Sequence, residues 1–130
     1  DILGKHGRLT PEERRIMQTH TVLGEQILNS LERFRDEELV RIAAQVCRSH
    51  HERYDGGGYP DGLVGEQIPI SAQVVSLADT YDALISARPY RDGLTHDEAI
   101  RRICSGECGV FNPLLLGCLR DIEGCLREAQ

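Results

Sequence analysis

Glycine and proline concentrate in one stretch of this 130-residue chain, residues 53 to 69, which holds five glycines and two prolines and shows no hydrophobic periodicity. Both residue types interrupt regular structure, so this stretch separates the chain into two groups of regular elements. An irregular segment of this length is uncommon inside a compact domain and usually has a function or is disordered. The fold must therefore accommodate a long loop near its centre.

Helical signals lie on both sides of this loop. Thr10-Pro11-Glu12-Glu13 combines an N-cap, a proline at the first helical position and a capping-box Glu, and Thr95 with Glu98 repeats the capping box. The predicted helices run from about residue 10 to 30, 36 to 50, 70 to 86, 95 to 105 and 112 to 128. No strand pattern of convincing length occurs, so we predict an all-α bundle of about five helices.

Composition restricts partners and compartment. The formal net charge is −6, which disfavours a general attraction to DNA or anionic lipid, so a phosphate-bearing ligand needs a local positive site. The chain has no run of 18 apolar residues and no signal-peptide pattern, which predicts a cytoplasmic protein without a membrane segment. Five cysteines without a CxxC pair predict reduced, mostly buried thiols rather than a disulfide framework.

The first predicted helix carries a histidine in its apolar stripe. His20 falls at the centre of the stripe, so we expect it to face the core; the apolar members are Ile16, Leu23, Ile27 and Leu31. Taken alone, a histidine on an apolar face is roughly twice as often a core residue hydrogen-bonded to a carbonyl as a metal ligand. Both interpretations of His20 therefore stay open.

Further metal-binding residue types follow on the next two predicted helices. His50 continues the apolar face of its helix, and His51 points about 100° away, which suits two neighbouring ions better than one. Asp79 and Asp82 lie on a helix whose faces are mainly apolar or small, so we expect both carboxylates to be buried. Imidazole and carboxylate together suit iron, manganese, zinc, cobalt or nickel.

The string from His50 to Pro60, HHERYDGGGYP, distinguishes these interpretations, because a helix end followed by a flexible turn explains only its glycines. The chain here resembles the HD-GYP family of HD phosphohydrolases, whose signature HHExxDGxGYPxGLxGxxIP is met at every fixed position from His50 to Pro69. The resemblance extends to LADTYDAL around Asp79, to the RPYR that follows, to Thr19-His20 and to the FNP near the C-terminus.

The resemblance implies an HD-domain helical bundle of which residues 1 to 130 are the C-terminal, larger part. The His-Asp doublet that names the superfamily, the family's Lys and the first helices are expected upstream of Asp1. The corresponding metal ligands in this chain are His20, His50, His51 and Asp79, which implies two or three divalent ions, iron or manganese. We expect the chain alone to retain metal weakly and to show little turnover.

The resemblance also implies substrate contacts. Arg88 and Arg91 are expected to bind phosphate, because guanidinium groups match phosphate oxygens, although solvated charges after a helix explain them equally well. The loop is expected either to lie over the ligand, with Tyr59 contacting it, or to dock a partner such as a diguanylate cyclase. Its motif residues are Asp55, Gly56, Gly58, Tyr59 and Pro60.

The implied activity is hydrolysis of cyclic di-GMP to the linear dinucleotide or to GMP, in bacterial second-messenger signalling. Two other hypotheses stay open: a noncatalytic interaction or ligand-binding module, and an HD phosphohydrolase acting on another nucleotide. A fused receiver or sensory domain and a homodimer are further expectations.

Overall fold

The computed structural model describes residues 7–34, 36–87 and 92–128. Within these ranges the chain forms six α-helices and one 3₁₀ turn, with an isolated bridge between Asp55 and Val64 as the only strand-like pairing. The helices are α1 (Pro11–Gln18), α2 (His20–Asn29), α3 (Glu38–Ser49), α4 (Ile70–Ile85), α5 (His96–Ser105) and α6 (Pro113–Glu128). The predicted all-α class is confirmed, and none of these helices is long and apolar enough to cross a membrane.

Thr19 divides the first predicted helix into α1 and α2, so the prediction of one continuous helix was wrong at this residue. The Thr19 amide donates to the Ile16 carbonyl at 3.1 Å, and the Thr19 hydroxyl donates to the same oxygen at 2.6 Å. Both bonds run to a residue three positions earlier, so they close a tighter turn than an α-helix. The hydroxyl bond also competes for a carbonyl that accepts a backbone amide in a continuous helix. The new helix begins at His20.

The apolar stripe of α1 and α2 lies on the surface of the described structure, contrary to the predicted core. Ile16, Leu23 and Ile27 are 55%, 53% and 65% exposed, and His20 between them is also exposed. The prediction that His20 faces the core was therefore wrong. The cysteines are unpaired as expected, but none of the five is fully buried.

The core lies where α4, α5 and α6 meet. Its buried members are Leu77, Leu84, Ala99, Ile100, Ile103 and Leu119. Asp79 and Asp82 are exposed, which contradicts the predicted burial. Each is two residues from a buried leucine, and two residues on an α-helix correspond to a rotation of about 200°. The leucines turn inward, and the carboxylates consequently turn outward.

Two helix contacts position the candidate site. α2 packs against α3, and α3 packs against α4. The C-terminal end of α3 thus lies between the first residues of α2 and the middle of α4.

Candidate metal centre

Three histidine side chains converge where these helices meet. His20 is the first residue of α2, His50 follows the last residue of α3, and His51 comes next in the chain. One ring nitrogen from each lies within 4.8 Å of one from each of the others, and the Nε2 atoms of His20 and His50 are 3.5 Å apart. His20 and His50 are thirty residues apart in the sequence, but their ring nitrogens lie close enough to bind one ion.

Backbone carbonyls determine the tautomers of two of these rings. His20 Nδ1 lies 2.6 Å from the Met17 oxygen, and His50 Nδ1 lies 2.9 Å from the Val46 oxygen and 3.0 Å from the Cys47 oxygen. A carbonyl only accepts hydrogen bonds, so Nδ1 carries the hydrogen in each ring. In the neutral rings both Nε2 atoms then present lone pairs to each other, an arrangement that is relieved by a shared proton or a metal ion between them.

The donor set fits a divalent ion. Two imidazole nitrogens bound at about 2.1 Å to one tetrahedral ion lie about 3.4 Å apart, close to the observed separation of the two Nε2 atoms. Metal-binding histidines typically donate a hydrogen bond from the N–H of their second ring nitrogen to a carbonyl or carboxylate, and His20 and His50 both have a carbonyl at that position.

His51 is kept neutral by its surroundings. Its pKa is lowered from 6.5 to about 4, first by burial and then by the neighbouring His50 and His20, while Asp79 acts in the opposite direction. A neutral imidazole is the form that binds metal, so His51 is competent as a ligand at neutral pH.

Asp79 lies on α4 and lines the same cavity as His50 and His51. The Asp79 carboxylate is near enough to His51 to offset part of the lowering of the His51 pKa. Asp79 is not a member of the three-histidine cluster. The exposure of Asp79, unexpected from the sequence, leaves its oxygens available to a ligand in the cavity.

The cavity has a volume of about 500 Å³ and opens beside the histidines. Its walls come from α1, the end of α3, the glycine-rich loop, α4 and the segment before α6. A space of this size suits a small-molecule ligand.

The glycine-rich loop returns closely onto the end of α3. A Cβ on Gly58 would lie 2.3 Å from the Arg53 amide nitrogen and 2.5 Å from the His51 oxygen, so no side chain fits there. Gly56 has φ +83°, a backbone conformation that side chains disfavour. The peptide bond between Tyr59 and Pro60 is cis. The glycines of the motif therefore satisfy requirements of close packing and backbone shape.

Glu52 anchors this loop through hydrogen bonds to its backbone. It is only 3% exposed, and its carboxylate accepts hydrogen bonds from the amides of Asp61 at 2.7 Å and Leu63 at 3.0 Å. Arg48 on α3 reinforces the attachment, because its guanidinium binds both oxygens of Asp61 and also pairs with Glu25 on α2. Sequence reasoning assigned no role to Glu52, although its place after the two histidines was a signal.

Tyr59 lies in the glycine-rich loop, with its ring against His51. Its ring stacks on His51 with centroids 4.9 Å apart and planes inclined by 22°, and its amide donates to the His51 oxygen at 3.2 Å. Burial raises the pKa of its hydroxyl. The structure thus brings Tyr59 to the cavity that His50, His51 and Asp79 also line.

Two arginines line the cavity in the described part of the chain. Arg88 and Arg91 lie outside the described residues. Arg53 and Arg14 line the cavity, but Arg53 is occupied by a two-point ion pair with Asp55, which lowers the pKa of that carboxyl to about 2. Arg14 has no ion pair within the described part of the chain, so its guanidinium is available to a ligand. Sequence reasoning missed Arg14 because it weighed only the apolar positions of α1.

Comparison with known proteins gives one family and several relatives. The family model described as HD domain matches residues 2–108. The chain is 42% identical over 112 residues to "Cyclic di-GMP phosphodiesterase response regulator RpfG" of Xanthomonas campestris, over 86% of this chain and 29% of that protein. It is 39% identical over 122 residues to "Cyclic di-GMP phosphodiesterase" of Thermotoga maritima, over 94% of this chain and 32% of that one.

A relative from Vibrio cholerae has a different substrate in its name. It is "3'3'-cGAMP-specific phosphodiesterase 2", 41% identical over 121 residues, which are 92% of this chain and 22% of that protein. The chain therefore spans between 22% and 32% of the length of these three relatives.

Proposed function

The chain belongs to the HD domain family, in the HD-GYP branch that its central motif resembles, and on this premise we propose that it is the larger part of a metal-dependent cyclic di-GMP phosphodiesterase domain. The reaction gives the linear dinucleotide or GMP. The observation that supports it best is the 3.5 Å approach of the Nε2 atoms of His20 and His50 beside a cavity of about 500 Å³.

The proposed ligands in this chain are His20, His50, His51 and Asp79, and the proposed ions are two or three of iron or manganese. Such ions supply Lewis acidity toward a phosphodiester and a nucleophile at neutral pH. The chain brings three imidazole rings together and presents Asp79 to the cavity that His50 and His51 also line. Because the chain spans only part of its relatives' length, the remaining ligands, the His-Asp doublet among them, are proposed to lie in other parts of the full-length protein.

The proposed substrate carries negative phosphates, and the chain has a net charge of −6, so substrate binding requires a local positive charge at the site. Arg14 is proposed to bind a phosphate oxygen, since it lines the cavity and has no ion pair among the described residues. Arg88 and Arg91 stay predicted phosphate contacts. Because Arg53 is bound to Asp55, its role is to shape the loop rather than to bind substrate.

The test is hydrolysis of cyclic di-GMP by the full-length protein supplied with Mn²⁺ or Fe²⁺, with products separated by chromatography. We expect the linear dinucleotide or GMP to form, and EDTA to abolish the reaction. Intact substrate with every metal would contradict the proposal. Tight binding of cyclic di-GMP without turnover would instead support the noncatalytic ligand-binding hypothesis.

A second substrate is favoured by the relatives. The one named for 3'3'-cGAMP is as similar to this chain as those named for cyclic di-GMP. Measuring kcat/KM for both dinucleotides on the same preparation decides between them, and a higher value for 3'3'-cGAMP would overturn the primary substrate assignment.

Control of the activity by a receiver or sensory domain is also proposed, because the Xanthomonas relative is named a response regulator. Docking of a diguanylate cyclase on the loop and a homodimer stay predictions, for which sedimentation of the full-length protein with and without a partner is the measurement.

A further inference from the structure

We propose that Tyr59 is a positioning residue of the metal centre: its ring sets the orientation of the His51 imidazole, and the buried Glu52 carboxylate holds the loop that carries Tyr59. This role rests on the proposed metal site. It differs from the expected contact between Tyr59 and substrate, because it assigns to the ring a partner within the chain.

The three histidines are held in different ways. His20 and His50 are oriented by hydrogen bonds from Nδ1 to backbone oxygens. Among the described residues, no hydrogen-bond partner reaches either ring nitrogen of His51; rings lie against it instead. Tyr59 stacks on it at 4.9 Å and 22°, His50 lies at 4.1 Å with an inclination of 42°, and His20 lies edge-on at 5.0 Å. The second torsion of a histidine side chain is intrinsically soft, so ring packing is what remains to define it.

Tyr59 is itself fixed on both sides along the chain. Before it, Gly58 lies against the backbone of the α3 end so closely that an added Cβ would be 2.5 Å from the Glu52 Cα. At Tyr59, the amide donates to the His51 oxygen at 3.2 Å. After it, the Glu52 carboxylate accepts the amides of Asp61 and Leu63.

Glu52 is the residue that closes this arrangement. A carboxylate buried to this degree is costly unless it is hydrogen-bonded, and here both oxygens are used by loop amides. Glu52 directly follows His51 in the chain. The same short segment therefore carries the proposed metal ligand, His51, and the carboxylate that holds the Tyr59 ring against it. Loop position and ligand orientation are thereby linked.

A matched pair of substitutions separates the ring from its hydroxyl. Tyr59→Phe keeps the stacked face, whereas Tyr59→Leu keeps apolar bulk and removes the face. Loss of groups that orient metal ligands typically weakens metal binding by about 10- to 100-fold. We expect Tyr59→Leu to weaken Mn²⁺ binding by about 10-fold and Tyr59→Phe to bind within about 2-fold of wild type.

The experiment measures Mn²⁺ affinity of the full-length variants by calorimetry, together with the ring resonances of labelled His51 in metal-free protein. Circular dichroism confirms that each variant is folded. The expected spectroscopic result is one narrow set of His51 ring signals in wild type and Tyr59→Phe, and exchange-broadened signals in Tyr59→Leu. Glu52→Gln, which keeps size but loses acceptor capacity, should broaden the same signals.

Three results would overturn the role of Tyr59. They are wild-type Mn²⁺ affinity in Tyr59→Leu, equal weakening in Tyr59→Phe and Tyr59→Leu, and narrow His51 signals in all variants. Failure of wild-type protein to bind Mn²⁺ would count against the proposed metal site instead, because the metal-free spectra still report whether Tyr59 orients His51.

Discussion

The Nε2 atoms of His20 and His50 lie 3.5 Å apart, and each ring donates its Nδ1 hydrogen to a backbone carbonyl. Because His20 is oriented by a carbonyl at the end of α1 and His50 by carbonyls at the end of α3, the pair is set by the helix ends and by the packing of α2 on α3 before any ion binds. A preorganised pair of this kind reduces the conformational entropy lost when a metal is bound.

Removing one member of this pair should abolish tight metal binding. His20→Ala is the suitable change because His20 is exposed and its loss leaves no cavity in the core. Loss of a group that only orients a metal ligand typically weakens metal binding by about 10- to 100-fold. Loss of the ligand His20 itself should therefore lower the Mn²⁺ affinity of the full-length protein by at least about 100-fold. The thermal midpoint of the metal-free protein should change little, and unchanged affinity would remove His20 from the site.

Asp79 and Asp82 provide a matched pair on α4. Both are exposed, but only Asp79 lines the cavity with the histidines. Asp79→Asn removes a charged oxygen ligand and should weaken Mn²⁺ binding and reduce turnover, whereas Asp82→Asn should leave both at wild-type values. Equal effects of the two substitutions would show that general negative charge on α4, rather than ligation by Asp79, is responsible.

Arg14 and Arg15 are neighbours on α1, and only Arg14 lines the cavity. A hydrogen bond to a charged group contributes about 1.5–3 kcal/mol, so Arg14→Gln should raise KM for cyclic di-GMP by about 10- to 100-fold. We expect kcat to change less than KM, because the contact is present in the bound substrate as well as in the transition state. Arg15→Gln is the control and should resemble wild type.

Loss of the Glu52 acceptors should destabilise the domain. Glu52→Ala leaves the amides of Asp61 and Leu63 without their partner, at a cost of about 2 kcal/mol or more in the free energy of unfolding. Glu66→Ala, at an exposed position of the 3₁₀ turn, is the control and should lie within about 0.5 kcal/mol of wild type. Urea denaturation of the metal-free protein measures both, and similar values would contradict the anchoring role.

The lowered pKa of His51 predicts a pH dependence of stability in metal-free protein. Below pH 6.5 the unfolded chain takes up a proton at this residue, while the folded chain does so only near pH 4. The contribution of His51 to the free energy of unfolding should therefore fall as pH decreases from 6.5 to 4 and change no further below that. His51→Gln should remove this contribution, as measured by urea titrations at each pH in the presence of EDTA.

Local sequence signals predicted most helix boundaries. The capping box at Thr10 forms as expected, with Thr10 Oγ1 accepting from the Glu13 amide and the Glu13 carboxylate accepting from Thr10. Thr95 caps its helix by accepting from the Glu98 amide, but the reciprocal half of the predicted capping box does not form among the described residues, because the Glu98 carboxylate pairs with Arg101 and Arg102. That helix ends at the predicted Ser105. These boundaries depend on hydrogen bonds within four residues, which the sequence displays directly.

Burial and ring contacts depended on tertiary packing and were less predictable. Asp79 was expected to be buried because its helix is apolar on both faces, yet α4 turns Leu77 inward and leaves Asp79 exposed in the lining of the cavity. The contact between Tyr59 and His51 depends on the path of the loop, which spacing alone does not reveal. The histidine cluster was expected only from the motif that resembles the HD-GYP family, since the apolar-face argument placed His20 in the core.

The most direct test of metal binding by the three histidines is X-ray absorption at the metal edge of full-length protein loaded with Mn²⁺. Histidine ligation predicts imidazole scattering from at least two histidines, reduced in His20→Ala and His50→Ala. A spectrum that requires only oxygen ligands, and that these substitutions leave unchanged, would contradict it.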